Sequence, residues 1–362
     1  MTPRLSTWHP AVERSFVDAQ MERFLTAARS ILESGGVDAH TWRKAGGVAQ
    51  RLKPVDLEGP ALADADIDRL AEQYDSAHGL VLFRLPVPSA TEVHPLLRLA
   101  ASLRARIDLR FPVRHPAEVG MPAGSEVVKI FDAGRAAGIA MSQQELVPHQ
   151  DAIGNGGRIC TVGLYVEQSP AVGGVTYFRN VLLLAVTLAD LDADSLRPLF
   201  LPDALTVIAR RGDRLLRVRG PVLYINESGR PQVFLRAADR DVQVVPRPES
   251  AAAIEHLTRA VSPEAPGALV CDLNSPGVGV IFDNAALVHG RTPFRDSALG
   301  RHRRTLARKW WASVEEATEY QSYPALAVEP EFRSTLPDIF GDHLLQGTWM
   351  YDPDADIDIR ES

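Results

Sequence analysis

Apolar positions near the start of the chain recur at helical spacing. Val12, Phe16, Met21, Phe24, Leu25, Ala28, Ile31 and Leu32 fall on one face, and Gly35-Gly36 supplies a stop. The spacing predicts an amphipathic helix over 11–34 and a second helix around 64–75. After His78-Gly79 the pattern changes. Leu80-Val81-Leu82-Phe83-Arg84-Leu85 is a nearly continuous apolar run ended by Pro86 and Pro88, which predicts a buried strand. Ser89-Ala90-Thr91-Glu92 reads as a capping box opening a helix through about Ile107.

Short strands dominate the remainder. They are predicted at Glu126–Phe131, Ile159–Val166, Leu205–Ala209, Val222–Ile225, Val233–Leu235, Ala268–Asp272, Val278–Phe282 and Thr305–Trp311, with Asn226-Glu227-Ser228-Gly229 as a hairpin loop. Helical patterns interrupt them at about 180–198 and 249–260. There is no βαβ alternation, no GxGxxG or P-loop, and no internal repeat. The pattern predicts an α+β fold, mainly β, with a double-sheet jelly-roll core (a double-stranded β-helix), N-terminal helices and a helical lid insertion. By region, 1–75 is read as a helical extension packed on the core, and 76–350 as the jelly-roll domain with its lid at about 180–218. Residues 351–362 are read as an acidic, solvated tail.

Composition narrows the function classes. Hydrophobic residues at 45% and charged residues at 23% match a soluble globular protein. A formal net charge of -7 and a pI near 5.8, with no basic stripe interleaved with aromatics, argue against nucleic acid or an anionic membrane as partner. Met1 to Pro10 has no apolar leader core, and no stretch approaches the roughly 18 apolar residues of a membrane span. Cys160 and Cys271 lack a metal or disulfide spacing and sit in apolar runs, so buried thiols in a reducing cytoplasm are expected.

Chemistry enters at His149-Gln150-Asp151. Aspartate and glutamate make up 46 of 362 residues, so with 10 histidines one His-x-acid is expected by chance. Its setting gives it weight: an extended segment before it, then Asn155-Gly156-Gly157 and a strand. Residues two apart on a strand point the same way, so the pair can chelate one ion; a His–Asp hydrogen bond near a loop is the plainer alternative. Gly173-Gly174-Val175-Thr176 offers a tight turn and a hydroxyl, or an ordinary turn. An apolar strand ending in Asp283-Asn284 leads to Val288-His289-Gly290-Arg291, placing an imidazole at a strand mouth. Arg304 and Arg308, four apart on an apparent strand, face one side and suit a carboxylate; beside Trp310 and Trp311 they could instead form a surface cation–π patch.

In this order the motifs resemble the taurine dioxygenase/clavaminate synthase-like superfamily of Fe(II)- and 2-oxoglutarate-dependent oxygenases, over about 149–311. The resemblance implies that His149, Asp151 and His289 bind iron, a ligand set leaving three positions open for co-substrate and O₂. It implies that Thr176 and Arg304 hold the distal carboxylate of 2-oxoglutarate, with Arg308 near the keto-acid end or substrate. Arg303 competes with Arg304 because the loop after Phe294 varies in length. Val222–Arg236 resembles a lid-associated hairpin near substrate, which makes Arg236 a substrate contact, and Glu145 is another. Gln150 stands where threonine is common. Asp151 retains the carboxylate, which disfavours halogenation.

The activity so implied is hydroxylation of an unactivated C–H in an amino acid or amino-acid derivative, free or carrier-tethered, with release of succinate and CO₂. Oxidative degradation, desaturation or ring closure of a small acid, sulfonate or betaine-like compound uses the same cofactors. From other classes, a non-catalytic jelly-roll binding protein and a hydrolytic zinc enzyme stay open. The zinc enzyme leaves the paired arginines without a purpose.

Overall fold

A computed structural model describes residues 10–35, 50–57, 62–76, 79–87, 92–107, 109–115, 124–134, 139–152, 159–211, 214–225, 229–240, 242–265, 267–297, 303–313, 315 and 350–351. Helices and sheets are mixed. The largest sheet runs β2 (Val55–Asp56), β3 (Leu80–Arg84), β16 (Val278–Asp283), β7 (Ile159–Gln168), β19 (Thr305–Ala312) and β4 (Phe111–Pro112), and β5 (Val128–Phe131) also pairs with β19. A second sheet runs β1 (Gln50–Arg51), β15 (Leu269–Cys271), β9 (Thr176–Asn180), β17 (Leu287–Arg291) and β6 (Leu146–His149). Except for β1 and β2, whose pairings are parallel, both sheets are antiparallel.

The inward faces of these sheets share one apolar cluster. Val162, Leu164, Val280, Phe282 and Leu306 of the larger sheet pack with Phe178, Leu269, Cys271 and Leu287 of the smaller. The alternation of strand side chains explains this: on β19, Leu306, Arg308 and Trp310 point inward, while Ala307 and Trp311 join a cluster on the outer face. That outer cluster is covered by α2 (Asp64–Ser76) and α3 (Pro95–Leu103) through Leu70, Leu96, Leu99 and Leu103.

A third cluster joins α1 (Pro10–Ser34), α4 (Val181–Leu196), α5 (Ala251–Ala260) and the hairpin of β12 (Leu223–Ile225) and β13 (Pro231–Val233). Phe24 meets Phe200 edge-on at 5.4 Å. Val181 to Val186 are buried all round, as a helix inside a core must be. A further sheet, β14 (Val242–Pro246), β10 (Leu205–Arg211), β11 (Arg214–Gly220) and β20 (Met350–Tyr351), and the small pair of β8 (Val172–Gly173) with β18 (Phe294–Arg295), complete the described strands.

Two sequence expectations shift. The helix expected from Ser89 begins at Pro95, with the His94 side chain accepting from Leu96 N. Proline suits the first helical turn and pushes the residue before it out of helical conformation, so Pro95 sets the start and not the upstream box; residues 88–91 lie outside the described residues. The strand expected at Val233–Leu235 lies at Pro231–Val233, with its partner at Leu223–Ile225. The predicted hairpin-loop residues 226–228 and tail residues 352–362 also fall outside the described residues, as do 155–157. Cys160 and Cys271 are buried and are not joined in a disulfide. No described helix is long and apolar enough to cross a membrane.

Candidate metal centre

His149 ends β6, and His289 is the middle residue of β17. They are register partners across an antiparallel ladder, which sets their rings 4.3 Å apart at 44°. Asp151 is not on the strand as expected but in the turn that follows, where Ala152 adopts φ 55, a left-handed conformation that alanine rarely takes. What brings the carboxylate back is Asn284. Its Oδ1 accepts from Asp151 N at 3.0 Å, and its Nδ2 donates to Asp151 O at 3.1 Å and to Ile159 O at 3.0 Å. Gln150 is buried and donates to Asn284 O at 2.6 Å.

The result is one cluster. Ligand atoms of His149, Asp151 and His289 all lie within 4.8 Å of one another. Asp151 Oδ1 is 3.5 Å from His149 Nε2 and 3.7 Å from His289 Nε2. Adjacent donors around a common cation sit about 3 Å apart, so the spacing fits three ligands awaiting a small contraction.

Protonation favours the same use. His149 Nδ1 lies 2.9 Å from Val147 O; a carbonyl only accepts, so Nδ1 carries the proton and Nε2 offers its lone pair to the cluster. Burial pushes the His289 imidazole down to about 3, with His149 acting the same way, so it is neutral at pH 7. Burial works to raise the Asp151 carboxyl, but contact with His149 and the Arg308 charge outweigh it and hold it well below the usual range. Two imidazoles and one carboxylate are a donor set for a divalent transition metal.

A cleft, partly open to solvent, begins at this cluster and is lined by Thr176, Arg291, Arg304, Arg308 and apolar residues including Ile130, Leu164 and Leu306. Arg304 is 2% exposed, and its Nε has no hydrogen-bond partner among the described residues. Burial pushes its guanidinium down to about 9, still charged at neutral pH, with neighbouring Arg291 adding to the effect. A desolvated cation of this kind is stabilised by an incoming anion. Arg303 is exposed, donating to Asp132 O at 2.7 Å and lying over the Phe131 ring. Gly173, at φ 80, brings the chain so near Pro293 that a Cβ would sit 2.4 Å from its carbonyl oxygen.

Six of the expected residues therefore share one cleft: His149, Asp151, His289, Thr176, Arg304 and Arg308. Arg236 is buried but is not among the residues lining the cleft; it is bridged to the His149 backbone and ion-paired with Asp239. Glu145 is exposed and does not line the cleft, although its charge adds to burial in raising the Tyr177 phenol. The surface cation–π patch is corrected: Arg308 does lie over Trp310 at 4.3 Å, but both are buried. The sequence reading gave no site role to Trp310, whose Nε1 donates to Asp151 Oδ2 at 2.7 Å; its place two residues after Arg308 on one strand face was the available signal.

A family model described as "Taurine catabolism dioxygenase TauD, TfdA family" matches residues 43–310. Among solved structures, the chain is similar to a non-heme iron oxygenase, OrfP, in complex with Fe and alpha-ketoglutaric acid. That match has 20% identity, covers 70% of this chain and 81% of the other, and has a TM-score of 0.48. It is also similar to an asparagine oxygenase in complex with Fe(II), 2S,3S-3-hydroxyasparagine and succinate (16% identity, 89% and 96% covered, TM-score 0.49). A third is a taurine dioxygenase from Burkholderia xenovorans (18% identity, 74% and 88% covered, TM-score 0.45). No curated protein matches the chain.

Proposed function

The chain belongs to the taurine catabolism dioxygenase TauD, TfdA family, and from that premise we propose that it hydroxylates an unactivated C–H of an amino acid or amino-acid derivative, free or carrier-tethered. One observation carries the reading. The His149, Asp151 and His289 cluster opens into a cleft that also holds a buried, anion-seeking Arg304.

His149, Asp151 and His289 would hold Fe(II), and Arg304 with the Thr176 hydroxyl would hold the distal carboxylate of 2-oxoglutarate. Bound there, iron and 2-oxoglutarate supply the O₂-dependent oxidation, in which the keto acid leaves as succinate and CO₂ and one oxygen atom enters the substrate. The chain's own residues bind, orient and exclude water. Arg304 fixes the co-substrate by a charge-assisted contact in a desolvated site, where such contacts are strong. Ile130, Leu164 and Leu306 keep the cleft wall apolar. Arg236, buried beside His149 and paired with Asp239, and the exposed Glu145 are kept as proposed substrate contacts.

We read the two sheets around their shared cluster as the faces of a jelly roll, with 76–350 as the oxygenase domain and 1–75 packed on it. Val181 to Val186 are core, so lid motion within 180–218 belongs to the chain after them.

The test is anaerobic addition of Fe(II) and 2-oxoglutarate, followed by O₂ and a panel of amino acids, carrier-bound aminoacyl thioesters, sulfonates and betaines. The expected result is a weak visible charge-transfer band, then succinate formation stimulated by an amino acid or its thioester. Stimulation by sulfonates or betaines alone replaces the substrate class, and no band with no succinate removes the cofactor assignment.

A further inference from the structure

The two oxygens of Asp151 have different surroundings. Oδ1 faces the two imidazoles, 3.5 Å from His149 Nε2 and 3.7 Å from His289 Nε2. Oδ2 accepts from Trp310 Nε1 at 2.7 Å and lies 3.8 Å from Arg308 Nη1. The indole that donates is itself fixed. It is 5% exposed, carries the Arg308 guanidinium at 4.3 Å and packs against the His115 ring at 4.3 Å and 37°.

We propose that Trp310 is a positioning residue that commits Asp151 to one-oxygen ligation and so keeps a coordination position open. This rests on the reading of Asp151 as an iron ligand. A carboxylate has two oxygens and about four lone-pair sites, and unconstrained it can chelate a cation through both. Three single-atom ligands leave three of six positions. With iron bound there, the keto acid would take two of them and O₂ would need the third. A chelating Asp151 would leave only two, one short of the requirement. An indole N–H bonded to Oδ2 opposes the rotation that brings this oxygen onto the metal. Indole has no acceptor and cannot deprotonate in this range, so the restraint holds at any working pH.

Nitric oxide, as a spectroscopic stand-in for O₂, reads the third position directly. Wild type, Trp310→Phe and Trp311→Phe are loaded anaerobically with Fe(II) and 2-oxoglutarate, checked for the charge-transfer band, and titrated with nitric oxide by electron paramagnetic resonance. Trp311 is also buried but faces the outer cluster, so it controls for the loss of a core indole. The expected result is nitric oxide affinity at least about tenfold weaker in Trp310→Phe, unchanged in Trp311→Phe, and restored towards wild type in Trp310→His, which keeps an N–H donor. Loaded Trp310→Phe with wild-type affinity overturns the proposal, as does an equal loss in Trp311→Phe. A wild type without the band instead sinks the underlying iron reading. Should Trp310→Phe not fold, a crystal structure of the loaded wild type decides: one Asp151 oxygen on iron supports the proposal, and both overturn it.

Discussion

His149 and His289 are opposite one another on neighbouring antiparallel strands, and this pairing, not their places in sequence, creates the site. Cross-strand partners have their β-carbons within about 5.5 Å and their side chains on one face, so two imidazoles so placed converge without further machinery. The ladder slips immediately afterwards, between His289 and Arg291, letting Arg291 turn to donate to Ser142 O at 2.8 Å.

His149→Ala and His289→Ala should each abolish 2-oxoglutarate-dependent succinate formation and lower bound iron below stoichiometry. Metal analysis after anaerobic loading measures this. Full iron occupancy in either variant removes that residue from the centre.

Arg304→Ala should raise the 2-oxoglutarate KM by about 10–150-fold, corresponding to roughly 1.5–3 kcal/mol for a hydrogen bond to a charged group. Arg303→Ala, at the surface, should leave it within about twofold. The reverse pattern in steady-state kinetics would transfer the anchor to Arg303.

Asn284→Ala strips Asp151 N, Asp151 O and Ile159 O of their partner. Each buried group left unpaired costs on the order of 1–3 kcal/mol, so the urea midpoint should fall and iron affinity with it. An unchanged midpoint would mean that water replaces the amide.

Gly290→Ala places a Cβ 2.2 Å from the Tyr177 hydroxyl and 2.8 Å from Leu146 O, between two pinned strands. Overpacking of this kind costs about 1–3 kcal/mol. Calorimetry should show a lower Tm, and a wild-type Tm would show that the strands can spread.

His115 is 1% exposed, with no hydrogen-bond partner on either ring nitrogen among the described residues. Burial pushes it down to about 2, with Arg308 and Lys309 acting the same way. Its folded value lies below its unfolded one, so below pH 6.5 the unfolded chain binds the extra proton. The stabilising contribution is present above that pH and is lost as pH falls towards the folded value. His115→Phe should therefore flatten the stability–pH slope between about pH 6 and 4 by up to roughly 1.4 kcal/mol per pH unit. Chemical denaturation across that range checks it, and parallel slopes would show that His115 does not titrate on unfolding.

Much of the sheet framework was legible because buried strands announce themselves by composition. Ile159–Val166, Val278–Phe282 and Thr305–Trp311 each lie within an observed strand. The short edges β1, β2, β4 and β18 were not, since two residues hold no periodicity. Arg214–Gly220 and Val242–Pro246 were missed because arginine and polar side chains there interrupt the apolar signal.

The order of residue types along the chain was enough to nominate His149, Asp151, His289, Thr176 and the arginines, because donor chemistry belongs to the side chain and travels with it. Packing chose between Arg303 and Arg304 for the cleft wall, moved Asp151 off its strand into a turn held by Asn284, and brought the Trp310 indole to a carboxylate 159 positions away. Those outcomes depend on strand register and on which face of a strand is inward. Both are set by contacts between distant segments, to which a local pattern is blind.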